Sequence, residues 1–304
     1  MIYTVTFNPS IDYIVSMDGF KIGKTNRTTT ERMMASGKGI NVSVVLTNLG
    51  IANKALGFVA GFIGKEINRM AKEDGLCCEF IELPSGVSRI NVKLKDFDGT
   101  EINGMGPVVN EVAIEKLMMQ LDTLQAGDVL VLAGSIPKGM PSSIYSDIME
   151  RLNDKGVLFV VDATKDLLCN TLKYRPFLVK PNNHELGEIF GVELTSRDEI
   201  APYAKRLQEM GARNVLVSMA GEGAVLLDEE GRVFKLAAPK GRLVNAVGAG
   251  DSMVAGFLAG WAETKDSLYA FQMGVSAGSA TAFSEVYATK EEIMAVYESL
   301  PGIC

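Results

Sequence analysis

The sequence contains a single histidine, His184, and only four cysteines, Cys77, Cys78, Cys169 and Cys304. One histidine excludes a three-histidine zinc centre. It leaves a Ser-His-Asp hydrolase one candidate base, and no Gly-x-Ser-x-Gly elbow accompanies it. The cysteines lack Cys-x-x-Cys spacing, so neither structural zinc nor a disulfide framework is expected. No apolar run reaches the roughly 18 to 20 residues that span a bilayer. The opening MIYTVTFNPSIDYIV has no basic start and no cleavage site, and it reads as a β-strand rather than a secretory signal. Cations are in deficit: 30 Lys and Arg face 37 Asp and Glu, for a net charge of -7. That balance argues against nucleic acid as a partner. Anionic small molecules remain possible, because a few local cations can override a global charge. The expectation is a reduced, cytoplasmic protein with neither a membrane nor a nucleic-acid partner.

What is present is an apolar content of 47% in 304 residues, enough for a large core. Short apolar runs at 2–8, 53–60, 128–133, 157–162, 177–181 and 214–219 alternate with helical periodicity near 40–49, 64–74, 111–123, 141–154 and 197–210. Such alternation predicts βαβ units and an α/β fold with a mostly parallel sheet covered on both faces. Residues 225–236, VLLDEEGRVFKL, break the pattern and read as an antiparallel hairpin turning at Glu229–Gly231. Three helices follow, near 250–262, 266–284 and 289–299. Segments 11–34 and 87–105 have strand-like composition with no helix between their strands. They are expected to pair as a small lid, and no linker or repeat divides the chain, so residues 1–304 read as a single domain.

Glycine-rich turns carry the chemical signal. In NAVGAGDSMVAGFLAG, 245–260, Val254, Phe257, Leu258 and Trp261 recur at helical spacing. Gly248, Ala249 and Gly250 then lie at a helix N-terminus, where free N–H groups and the helix dipole favour an anion, and Asp251 follows directly. ASGKGINVS, 35–43, sets Lys38 between Gly37 and Gly39 at another helix start. It is not a Walker A loop, because Arg32 and Gly39 stand where glycine and a hydroxyl residue are needed. KPNNHELGEIFG, 180–191, ends a strand at Lys180-Pro181, offers Asn182 as an N-cap, and puts Glu185 and Glu188 in the first turns. Those carboxylates suit either a hydrated Mg²⁺ or the helix dipole. LAGSIPKGMP, 132–141, sets Ser135 just beyond a strand, where open α/β sheets bind ligands. Asp12, Arg27 and Arg89 sit in the lid segments; each also reads as an ordinary charged residue on an exposed strand. The first strand leads into NPSIDYIV rather than Gly-x-Gly-x-x-Gly, which argues against a nicotinamide dehydrogenase.

The GKGxN, GSxP, NxxE and GAGD elements occur here in the order found in the PfkB family of ribokinase-like sugar kinases, which the chain resembles over nearly its whole length. The resemblance implies a three-layer α/β/α fold with a β-strand lid. Within that family, NPSIDYIV, RINVKLK, KPNNHELGE and VSMAGEGA resemble the branch that phosphorylates fructose 1-phosphate with ATP and Mg²⁺, with tagatose 6-phosphate as the rival substrate. A silent sugar-phosphate sensor on the same fold would have lost the base or the anion-hole glycines, which are retained here. By resemblance, Asp251 is the base, with an ordinary carboxyl pKa near 4, and the N–H groups of Ala249, Gly250 and Asp251 hold the moving phosphoryl group. Asp12 and Asn41 should hold sugar hydroxyls, and Lys38, Arg27 and Arg89 the sugar's phosphate, with Asn103 and Ser135 as further substrate contacts. Asn182 and Glu185 should act through Mg²⁺ and water, with Lys180, Ser218, Gly221 and Gly223 along the nucleotide. The resemblance also implies a homodimer through the lid strands. Ser36 stands where relatives carry glycine, and strain is expected there if that position needs a positive φ.

Overall fold

A computed structural model describes residues 1–97, 99–137 and 139–300. The nine-stranded central sheet has the order β13-β12-β11-β10-β9-β8-β1-β4-β5. Its strands are β1 (Ile2–Thr6), β4 (Asn53–Ala60), β5 (Cys78–Leu83), β8 (Val129–Ala133), β9 (Leu158–Asp162), β10 (Leu178–Val179), β11 (Asn214–Ser218), β12 (Ala224–Leu227) and β13 (Val233–Leu236). All neighbouring pairs are parallel except those made by β12, which runs antiparallel to both β11 and β13. The run VLVLA of β8 is buried throughout because both faces of the sheet are covered. Its side chains alternate: Val129, Val131 and Ala133 join one apolar cluster, and Leu130 and Leu132 join the other. The first cluster holds α1 (Lys38–Asn48), α2 (Gly61–Glu73), α8 (Ala249–Thr264), α9 (Ser267–Phe283) and α10 (Lys290–Glu298). The second holds α3 (Glu111–Leu121), α4 (Ile144–Leu152), α5 (Lys165–Cys169), α6 (Asn183–Phe190) and α7 (Arg197–Glu209). The three layers are therefore helix, sheet and helix.

The lid is a separate four-stranded sheet, β3-β2-β6-β7. It is built from β2 (Ser10–Ser16), β3 (Thr30–Ser36), β6 (Arg89–Leu94) and β7 (Glu101–Asn103), so segments 11–34 and 87–105 do pair. Met33, Ile90 and Ile102 remain exposed on it.

Several details differ from the sequence reading. The edge strand β5 was not foreseen, since CEFIEL alternates burial only weakly. The run at 177–181 shortens to two strand residues, because Pro181 has no N–H for the ladder. Helix α8 has no single apolar face: every residue from Asp251 to Gly260 is buried. The side carrying Gly256 and Gly260 packs on α9, where a Cβ at Gly256 would lie 2.4 Å from the Met273 carbonyl oxygen. Glycine there lets two helices approach more closely than any side chain permits. The strain expected at Ser36 is absent. Ser36 is the last residue of β3 and has no positive φ; the positive φ falls on its neighbour Gly37, at 137°, which glycine adopts without strain. Cys77, Cys78 and Cys169 are free thiols, and Cys304 lies outside the described residues. No helix among the described residues is long and apolar enough to cross a membrane.

Candidate active site

The two glycine turns meet at the carboxyl end of the central sheet. Gly248 caps α8 in the left-handed conformation, φ 79°, and Asp251 follows in the first turn, 6% exposed. The Ala249 N–H donates to the Ala246 carbonyl at 3.3 Å. The N–H groups of Gly250 and Asp251 have no protein acceptor among the described residues. The expected three-donor anion hole is therefore reduced to two free donors, because the turn before α8 uses the first. Asp251 makes no ion pair among the described residues. Its Oδ2 instead accepts from Asn41 Nδ2 at 2.7 Å. Burial raises its carboxyl to about 6, with Lys38, Asn41 and Lys180 pulling the other way and Asp162 adding to the rise. The ordinary carboxyl pKa near 4 expected from sequence does not hold, because burial of the carboxylate disfavours its charge.

Helix α1 begins at Lys38, directly after Gly37. A Cβ at Gly37 would lie 2.4 Å from Thr6 Cγ2, and one at Gly39 would lie 2.6 Å from Thr6 Oγ1. The Ile40 N–H donates to that same Oγ1 at 3.0 Å. Gly39 thus serves close packing of α1 on β1 rather than a ligand. Lys38 Nζ lies 3.0 Å from Asp162 Oδ1, and Lys180 Nζ lies 3.4 Å from Asp162 Oδ2. Asp162 closes β9 and is 1% exposed. Burial opposes its charge, but Lys180 and Lys38 outweigh that and hold its carboxyl below the usual range. Burial likewise pushes Lys38 down, and the carboxylates of Asp162 and Asp251 reverse this and hold it above its ordinary value. Asp162 was missed in the sequence. An acidic residue closing the apolar run LFVV at the ligand end of a parallel strand was the available signal.

Two cavities open here and share Lys38 and Glu185. The smaller, about 330 Å³, is also lined by Gly37, Arg89, Ser135 and Asp162, together with Asn8 and Thr164. The larger, about 860 Å³, is lined by Lys180, Asn182, Ser218, Gly221 and Gly223, by the turn Gly248–Asp251, and by Phe283 and Lys240. His184, expected on the outer surface, also lines it. Asn182 and Glu185 form a reciprocal helix cap: Asn182 Oδ1 accepts from the Glu185 N–H, and Glu185 Oε2 accepts from the Asn182 N–H, both at 2.8 Å. Glu185 Oε1 remains for a cation. One carboxylate oxygen, water and nucleotide phosphates form a donor set suited to Mg²⁺. Glu188 instead points to Lys165, 3.5 Å away.

Of the remaining predicted contacts, Arg89 lines the smaller cavity, and Asp12, Arg27, Asn41 and Asn103 line neither. Asp12 is buried within the lid, accepting from Ser10 Oγ at 2.8 Å and Asn91 Nδ2 at 3.0 Å, with Lys93 Nζ 3.4 Å away. Arg27 is exposed in the connection between β2 and β3 and lines neither cavity. Asn103 is exposed on β7 and donates to Glu101 Oε2 at 3.3 Å. Arg89 spends two donors on the carbonyls of Asn8, at 3.0 Å, and Gly104, at 3.5 Å. Asn41, expected to hold a sugar hydroxyl, holds the Asp251 carboxylate. Sequence pattern places Asp12, Arg89 and Asn103 in the lid segments but cannot say which way a lid sheet faces.

Residues 5–292 match the profile of pfkB family carbohydrate kinases. The chain is 49% identical over 291 residues to a 1-phosphofructokinase of Bacillus subtilis, covering 96% of this chain and 95% of that protein. It is 35% identical to a D-tagatose-1-phosphate kinase of Bacillus licheniformis, covering 94% and 93%. The crystal structure of phosphofructokinase-2 from Escherichia coli in complex with substrates and products superposes with a TM-score of 0.92 at 26% identity, covering 98% of this chain and 99% of that one. An unpaired carboxylate behind a glycine turn, in the larger of two cavities that share Lys38, suits transfer of an anionic group to a hydroxyl, and agreement along almost the full length places that arrangement in a known lineage: this chain belongs to the pfkB family of carbohydrate kinases and has the ribokinase-like fold.

Proposed function

We propose that this kinase transfers the γ-phosphoryl group of ATP to fructose 1-phosphate, giving fructose 1,6-bisphosphate and ADP. The observation that carries the reading is Asp251. It is buried, unpaired and oriented by Asn41 behind two free N–H donors, and it lines the larger cavity, which shares Lys38 with the smaller. The larger cavity takes the nucleotide, and the smaller takes the sugar phosphate against Lys38 and Arg89. The sugar hydroxyl attacks the γ-phosphorus as Asp251 accepts its proton, and the bond to the ADP oxygen breaks. Charge then spreads over three oxygens, and the Gly250 and Asp251 N–H groups with Lys38 and Lys180 stabilise it. Mg²⁺, held by Glu185, water and the phosphates, neutralises charge on the nucleotide when bound. A free sugar would leave Arg89, which meets only backbone carbonyls among the described residues, without an anion, which favours a phosphorylated substrate. We further read residues 1–304 as one cytoplasmic kinase domain that pairs through the exposed apolar side chains of its lid.

The kinship to a tagatose-phosphate kinase sustains a second reading, in which tagatose phosphate is the sugar. ADP release is to be measured with MgATP and, separately, fructose 1-phosphate, tagatose 1-phosphate, tagatose 6-phosphate and fructose 6-phosphate. The expected result is a preference for fructose 1-phosphate, lost with EDTA and lost in Asp251→Ala. Preference for a tagatose phosphate would retain the mechanism and change the substrate. Turnover retained in Asp251→Ala would remove the base.

A further inference from the structure

The geometry points to Tyr287 as a further substrate contact, whose hydroxyl donates to a sugar oxygen beside the hydroxyl that is phosphorylated. This rests on the proposed function. Tyr287 lies in the bend between α9 and α10 and is 7% exposed. Its ring lies directly on the turn that carries the base: a Cβ at Gly248 would stand 2.4 Å from Tyr287 Cε1 and 2.9 Å from its hydroxyl oxygen. Glycine at 248 is thus required twice, by its φ of 79° and by this ring.

The hydroxyl makes no hydrogen bond to any described residue. It is also absent from the sealed, unsatisfied polar atoms, so it keeps an opening to solvent. A buried phenol ordinarily finds a partner, and one without a protein partner is completed by water or ligand. Two carboxylates act on it, Asp251 from the start of α8 and Asp12 from the lid. Gly248 caps the helix whose first turn carries Asp251, so the hydroxyl stands beside the start of α8, close to where the attacking hydroxyl must meet the base. Burial and both carboxylates hold the phenol protonated, so it can donate. Ser10 and Asn91 donate to Asp12 Oδ1 and Asn41 to Asp251 Oδ2, and the phenol donates to neither carboxylate, so its donor remains free for a sugar oxygen.

Tyr287→Phe keeps the ring against Gly248 and removes only the donor. Steady-state kinetics of the full-length enzyme with fructose 1-phosphate and MgATP should show kcat/KM for the sugar lowered roughly 5- to 30-fold, as for one lost ligand hydrogen bond. The KM for ATP and the melting temperature should stay unchanged. Tyr287→Leu, which also removes the ring, should in addition lower the melting temperature. Wild-type sugar kinetics in Tyr287→Phe would overturn the contact, even if Tyr287→Leu is impaired, because the residue would then act by packing alone. A shifted acid limb with unchanged sugar kinetics would also overturn it, assigning the hydroxyl to the base instead. A wild-type enzyme inert toward every ketohexose phosphate overturns the proposed function, and this contact with it.

Discussion

Asn41 donates Nδ2 to Asp251 Oδ2 at 2.7 Å across 210 positions of sequence, tying the start of α1 to the start of α8. The bond has a chemical consequence. A donor to a carboxylate favours its charged form, and here it opposes the burial that raises Asp251 to about 6. The base is thus poised close to neutrality rather than deep in its ionised range.

The acid limb of kcat/KM should reflect that value. Asp251 must be unprotonated to accept the hydroxyl proton, so activity should fall about tenfold per pH unit below an apparent pKa near 6. In Asn41→Ala the limb should move to higher pH by about one unit, the size of a lost hydrogen bond to a charge. A pH–rate profile of both proteins checks this. An unmoved limb in Asn41→Ala would separate Asn41 from the base.

Asp251→Asn should abolish turnover yet stabilise the fold. The folded carboxyl titrates near 6, against 3.8 without the protein environment, so between these values the folded state holds more proton than the unfolded state. Stability contributed by the neutral acid is present at low pH and lost as pH rises through 6. At pH 7.5 the ionised group costs on the order of 2 to 3 kcal/mol, which the amide removes while still accepting from Asn41. Denaturant melts at pH 7.5 and pH 4 should show the gain only at the higher pH.

Asp162→Asn should have the opposite effect on stability. It leaves the buried Lys180 and its neighbour Lys38 without their shared counter-ion, a loss of about 3 to 5 kcal/mol for a broken buried pair. Because the folded Asp162 carboxyl is held low, its contribution exists above the unfolded value and disappears as pH falls through the folded one. The acid limb of activity should move to lower pH in this variant, since the Asp162 charge helps to raise Asp251. Acid unfolding curves and the pH–rate profile test the two effects separately.

Gly256→Ala should be destabilising by about 1 to 2 kcal/mol despite the better helix propensity of alanine. The added Cβ meets the Met273 carbonyl at 2.4 Å and Ala277 Cβ at 2.6 Å, and a helix backbone cannot yield as a flexible side chain does. Alanine at Gly221, where a Cβ would meet open space, should be close to neutral. Thermal melts of the two variants give the comparison.

Much of the architecture is a local property of the chain. Apolar runs as short as VLVLA, too brief for a helix, read as strands buried on both faces, and Asn182 with Glu185 three residues on writes its own helix start. The order of the glycine turns resembles that of the PfkB family, and that resemblance implied a phosphate-handling kinase. Other features depend on residues far apart in sequence. Asp162 reads as one acidic residue among many until β9 brings it between Lys38 and Lys180. Asn41 reads as a sugar ligand until α8 is packed beside α1. The ionisation of Asp251 cannot be read from its neighbours in sequence, because desolvation depends on everything packed around the carboxylate. Periodicity and turn chemistry act within a few residues and so determined the elements and their succession. Burial, charge pairing and the facing of the lid arise between elements, and only the tertiary structure decided them.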